Sequence, residues 1–181
     1  MSVSQPSPLD SESFSNLFAR THLIIFRFIY GLHGGPREEV EDMTSDTYIR
    51  AWKRRKFIFG NEHDALCWLF TIARHLVIDA HRKMKAHPDT SIVSLDESTL
   101  DEWITSPQAS PEIQVANREQ FIYLWRSLMS LPFDRREMLV LRYIVGWQVN
   151  EIAKYLEMQE NTVSVYIRRS LEQIRRDWKE S

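Results

Sequence analysis

The stretch "EIAKYLEMQENTVSVYIRR", residues 151–169, decides how the rest of the chain is read. Val149, Ile152, Ala153 and Leu156 form one apolar helical face, and Val163, Ile167, Leu171, Ile174 and Trp178 form another, with about four residues between the two patterns. Helices joined by so short a turn cross at a steep angle and need a small residue where their backbones approach. Ala153 is placed for that. This is the logic of a helix-turn-helix. The outer face of the second helix then presents Asn161, Thr162, Ser164, Val165, Arg168 and Arg169. Short polar groups at its N-terminal end suit base edges in a major groove, and the arginines further along suit phosphates. The same spacing also describes an ordinary helical hairpin with a solvated basic face.

Upstream of this hairpin a helix is expected from about Pro111 through Leu131, broken at Pro132. Asp134 and Glu137 then have capping-box spacing ahead of Met138, Leu141 and Val145, and Gly146 is placed to stop that helix. Further upstream, "AHPDTSIVSLDESTLDEWITSPQASPE", residues 86–112, has three prolines, many Ser and Thr, and no sustained 3.6-residue period, so it reads as a flexible linker. Before it, Phe14, Leu17, Phe18, Ile25, Phe28, Ile29 and Leu32 fall near one helical face that ends at "HGGP". A second helix runs from about Pro36 to Lys56, acidic at its start and basic at its end, as the helix dipole favours. A third begins near Asp64, where Leu66, Leu69, Ile72, Ala73, Leu76, Val77 and Ala80 follow helical spacing.

The expected architecture is therefore all-α: two small helical domains, residues 14–85 and 113–181, joined by the linker 86–112 and preceded by an unstructured tail, 1–13. An apolar share of 43% supports packed cores, and five glycines and seven prolines are too few for a turn-rich β architecture. The net charge of −2 conceals a segregation: −2 over residues 1–13, +4 over 14–85, −6 over 86–112 and +2 over 113–181. Nucleic-acid affinity follows the local field, so two mildly basic blocks around an acidic one remain compatible with DNA. The single cysteine, Cys67, excludes an internal disulfide, and no apolar stretch approaches the roughly 18 residues of a membrane span. With no secretory signal at the start, a cytoplasmic protein without membrane insertion is expected.

The motifs in their order resemble the extracytoplasmic-function sigma factors, small promoter-recognition subunits of bacterial RNA polymerase. Leu131-Pro132, Arg136 and Leu141-Arg142 resemble the opening of that family's region 4, and "EIAKYL" and "TVSVYIRRSLEQIRR" its following two helices. In the first domain, "VEDMTSDTYIRAW" is similar to region 2.2, and "WLFTIARHLVIDAHRK" to regions 2.3 and 2.4. The resemblance covers most of the chain.

It implies that Asp42, Ser45, Asp46, Ile49, Arg50 and Lys53 dock on the clamp helices of core RNA polymerase, with Ser45 standing where glutamine is usual. By spacing, Asp42, Ser45, Asp46, Ile49 and Lys53 share one stripe, which a solvated helix face would also show. For the −10 element the implied residues are Lys56, Asn61, Arg74, His75, Asp79 and Arg82, with His75 where asparagine is frequent. Opening a promoter requires capture of an unpaired strand, and "KRRKFIFGNEHDALCWL" offers cations for phosphates beside Phe57 and Phe59, which serve equally as core or as walls of a base pocket. Trp68 is better placed for packing. The implied readers of the −35 element are Asn161, Thr162, Ser164, Val165, Arg168 and Arg169. The two helices of that motif usually carry Ser or Thr N-caps; here Gln148 and Gln159, poorer caps, occupy those positions, and Glu157 falls where the turn often has glycine. The linker of the family threads the polymerase cleft, although a solvated tether accounts for its composition as well.

Promoter DNA and core polymerase are the implied partners, with an anti-sigma protein added because many members of the family are held inactive by one. No cofactor or catalytic residue is implied. Two other classes compete. His63 with Cys67, and His75 with Asp79, sit at i, i+4 and are the only visible start of a metal site, without further ligand motifs. An autonomous helix-turn-helix regulator would share the C-terminal helices and bind duplex operators as a symmetric dimer.

Overall fold

The computed structural model describes residues 10–55, 62–86 and 111–179, and every regular element among them is helical. We number the helices α1 (Ser11–His33), α2 (Arg37–Arg54), α3 (Glu62–Ala86), α4 (Pro111–Ser130), α5 (Phe133–Leu139), α6 (Val149–Tyr155) and α7 (Glu160–Lys179); a π-helical turn, Val140–Val145, continues α5. The chain divides into two compact units, α1 to α3 and α4 to α7. The all-α, two-domain architecture is thus observed. Residues 87–110, the bulk of the expected linker, lie outside the described residues.

In the first unit α1 begins at Ser11, inside the stretch expected to be an unstructured tail. Asp10 is the cause: its Oδ1 accepts the Ser13 N–H at 2.7 Å, and its carbonyl accepts the Phe14 N–H at 3.0 Å. Those hydrogen bonds hold the Asp10 carboxyl below its ordinary pKa. The apolar stripe of α1 packs on α3, where Phe28 meets Phe70 edge-on at 4.7 Å. Phe18 departs from the expected buried stripe, being 42% exposed. It lies 100° around the helix from Leu17 and covers the edge of Tyr48 instead, at 4.8 Å.

Tyr48 ties α2 to α1. The Thr21 hydroxyl donates to Leu17 O at 2.6 Å, so its oxygen is free to accept the Tyr48 proton across the 2.8 Å that separates the two hydroxyls. Burial pushes the Tyr48 pKa up to about 12, outweighing the opposing effect of the Thr21 hydrogen bond. The folded state therefore holds this proton more tightly than the unfolded chain, whose tyrosines titrate near ~10. The resulting stability is complete below that value and is lost as pH rises towards 12. We expect chemical denaturation to show a steeper loss of stability between these limits for the wild type than for Tyr48→Phe. Parallel curves would mean that the hydroxyl contributes nothing to this seam.

In the second unit the helix after Pro132 starts earlier than a cap at Asp134 would allow. Pro132 is itself the N-cap, with φ −53° and no side-chain cap bond. Glu137 is fully buried and does not form the expected capping box. The π turn then breaks the 3.6-residue period, so Val140 and Leu141 are buried while Val145 is only half-buried. Gly146 ends the turn in the left-handed region, φ 87°, as expected of a glycine stop.

Candidate functional site

α6 and α7 pack on each other with Ile152, Ala153, Val163 and Ile167 buried. Ala153 is among them, as a close crossing requires. Their connection is a Schellman turn: Met158 N–H donates to Ala153 O at 2.8 Å and Glu157 N–H to Lys154 O at 3.4 Å. This geometry requires a left-handed residue, and Glu157 supplies it with φ 54°. A Cβ in that conformation costs roughly 1–2 kcal/mol, partly offset in glycine by its freer unfolded chain. Glu157→Gly is therefore expected to stabilise the second unit by about 0.5–1 kcal/mol. Thermal unfolding would show a higher midpoint, and a β-branched residue there should lower it.

The caps behave differently from one another. α7 follows Gln159, whose carbonyl accepts the Val163 N–H at 3.1 Å. Gln148 precedes α6, and its N–H donates to Glu151 Oε2 at 2.6 Å. The Gln148 side chain accepts a bond from Arg142, an interaction that cap statistics did not reveal.

The face that α7 turns to solvent carries Asn161, Ser164, Arg168 and Arg169 exposed, with Thr162 and Val165 half-buried beside them. All six lie away from the buried Val163, Ile167, Ser170 and Ile174. Arg168 reaches Glu172 only at 3.8 Å, with both side chains largely in water, so the contact restrains the guanidinium weakly. Elsewhere in this unit Arg136 is buried, donating to Met129 Sδ at 3.1 Å and Leu131 O at 3.4 Å, and burial lowers its pKa.

In the first unit the expected docking stripe is exposed along its whole length: Asp42, Ser45, Asp46, Ile49, Arg50 and Lys53. Ile49 is 50% exposed beside Asp46, on a helix where Val40, Tyr48 and Ala51 are buried and Trp52 is also exposed. Tyr48 and Ala51 take the opposite side with Val40, Thr44 and Thr47.

Of the expected −10 residues, Arg74, His75, Asp79 and Arg82 share one side of α3, opposite Leu69, Ala73 and Val77. His75, Asp79 and Arg82 are exposed and Arg74 is half-buried; Arg82 contacts Asp79 at 3.4 Å. Lys56 and Asn61 lie outside the described residues, as do Phe57, Phe59 and Gly60. Arg55 is described: its guanidinium stacks 3.6 Å above the Trp52 ring and donates to Trp52 O at 3.0 Å. That partnership joins the cationic run to the aromatic end of α2 and was not evident from spacing. His63 Nε2 lies 3.5 Å from Cys67 Sγ, and no three potential metal ligands converge among the described residues. No described helix is long and apolar enough to cross a membrane.

Two family descriptions match the chain in the order of these units. "Sigma-70 region 2" matches residues 17–87 and "Sigma-70, region 4" residues 121–174, together more than half of the chain. Curated relatives include the ECF RNA polymerase sigma factor SigX of Bacillus subtilis, 26% identical over 91% of this chain and 83% of that protein. The chain belongs to the extracytoplasmic-function sigma factors. SigW of the same bacterium is similar at 26% identity, over 96% of this chain and 93% of that protein. Among solved structures, the sigma factor RpoE in complex with the anti-sigma factor NepR from Bartonella quintana superposes with a TM-score of 0.70. At 19% identity, with 93% of this chain and 98% of that chain covered, the likeness is one of fold. Within this sigma factor, the α6–α7 pair lies in the region 4 match and the α2 stripe in the region 2 match.

Proposed function

We propose that this sigma factor joins core RNA polymerase and directs it to promoters, with the division of labour falling along the domain boundaries 14–85, 86–112 and 113–181. The α2 stripe from Asp42 to Lys53 meets the polymerase. Arg74, His75, Asp79 and Arg82, with Lys56 and Asn61, take the −10 element. The exposed face of α7, from Asn161 to Arg169, reads the −35 element. The work is done in the cytoplasm, where the polymerase is, and the chain contributes recognition and strand capture rather than a reaction of its own. An anti-sigma protein is a further partner, since RpoE was solved bound to one.

The observation that carries this reading is the presence of region 2 and region 4 in one chain, in family order. Each has its candidate contact face turned to solvent. The test is transcription in vitro with purified core enzyme on a promoter library. Transcripts should begin at defined positions preceded by two shared elements, one for each unit. Tight binding to palindromic duplex without polymerase, together with no transcript, would replace the reading with that of an autonomous regulator.

A further inference from the structure

Arg142 closes the turn that leads into α6. Its Nη1 donates to Trp147 O at 2.8 Å and to Gln148 Oε1 at 3.0 Å. Gln148 in turn donates its N–H to Glu151 Oε2 at 2.6 Å, within the first turn of α6. A half-buried guanidinium on the π turn thus grips both the carbonyl of the residue before the N-cap and the side chain of the N-cap residue itself. Bonds from an ionised donor are shorter and stronger than neutral ones, so this grip adds a firm restraint from outside the helix to the bond that Glu151 makes within its first turn. α6 has only seven residues and packs directly on α7. A shift at its start therefore passes to the reading helix instead of being absorbed along its length.

We propose that Arg142 is a positioning residue for −35 recognition, acting through Gln148 and the turn at Trp147 to set the placement of α6 and, through it, of α7. The proposal rests on the reading of α7 as the −35 reader. A direct phosphate contact by Arg142 is the competing account, and it makes different demands on Gln148. If Gln148 serves as an acceptor for Arg142, a carboxylate in its place accepts the same bond, whereas near DNA that added negative charge would repel.

The test uses the full chain with purified core polymerase and two templates: a duplex promoter with both elements, and the same promoter with the −35 sequence replaced and the −10 region pre-opened by mismatches. Arg142→Met and Gln148→Ala should each reduce initiation on the duplex promoter by about tenfold. The double variant should be no worse than Arg142→Met alone, because both changes break one connection. Gln148→Glu should stay within about threefold of wild type. The pre-opened template should be used equally well by all variants.

Three results would overturn the proposal. One is Gln148→Ala at wild-type level while Arg142→Met is weak and its salt dependence is shallower by about one, which marks a phosphate contact. Another is Gln148→Glu falling below Gln148→Ala, which makes Gln148 itself the DNA contact. The last is equal losses on both templates, which indicates a folding defect. A wild-type protein inactive on both templates would sink the functional reading and the proposal together; a wild type active on both preserves the reading whatever the variants do.

Discussion

Reversing the charge of Asp46, as Asp46→Lys, is expected to weaken association with core polymerase by about 100-fold, since opposing like charges across an interface costs several kcal/mol. Asp46 is exposed, one turn from the half-exposed Ile49, with Asp42 on the same side of α2. Acids around an apolar anchor suit a basic partner helix, where the charged groups set orientation and the isoleucine supplies area removed from water. The fold itself should tolerate the change, because exposed substitutions away from packed features usually shift stability by less than about 0.5 kcal/mol. Retention of polymerase on immobilised protein, measured beside a thermal melt, separates the two effects. Unchanged retention would remove α2 from the docking surface.

Arg168→Ala should leave that association intact and lower initiation from promoters with a −35 element by roughly tenfold or more, in line with the ~1–3 kcal/mol of a good base contact. The residue stands in the middle of the exposed face of α7, and its distant partner Glu172 leaves the guanidinium free to turn towards a ligand. The salt dependence of binding tells what it touches. A slope shallower by about one marks a phosphate, while loss of preference at a single base pair marks a base edge. Normal promoter use by this variant, with polymerase bound, would move the reading face elsewhere on the unit.

The parts of the fold that were legible are those in which one physical period runs undisturbed. Val163, Ile167 and Ile174 repeat at helical spacing and are all buried, so the outward direction of Arg168 followed from arithmetic. The α2 stripe was legible in the same way. Phe18 was misplaced because a residue at the margin of a stripe is decided by its neighbour across the interface, here Tyr48. Asp134 and Glu137 matched a cap pattern, but Pro132 started the helix first and carried Glu137 into the core. Gln148 looked like a weak cap from residue type alone, whereas it pairs with Glu151 in a capping box and its side-chain Oε1 also accepts from a guanidinium six positions earlier. The left-handed Glu157 was foreshadowed by position, since a turn of that length needs one such residue whatever its identity.

The six residues from Val140 to Val145 complete a wider circuit than an α-helical path would need. Such a circuit holds about one residue more than an α turn, and one residue corresponds to about 100° of rotation. A chain shortened by one residue here would keep the apolar seams of α5 and α6 but turn one seam out of phase with the other, carrying the Arg142 side chain away from the carbonyl of Trp147. At the apolar positions of this segment the count of residues constrains the molecule more tightly than their identity, so lineages should tolerate exchange among Val, Leu and Ile there far more readily than a single-codon deletion.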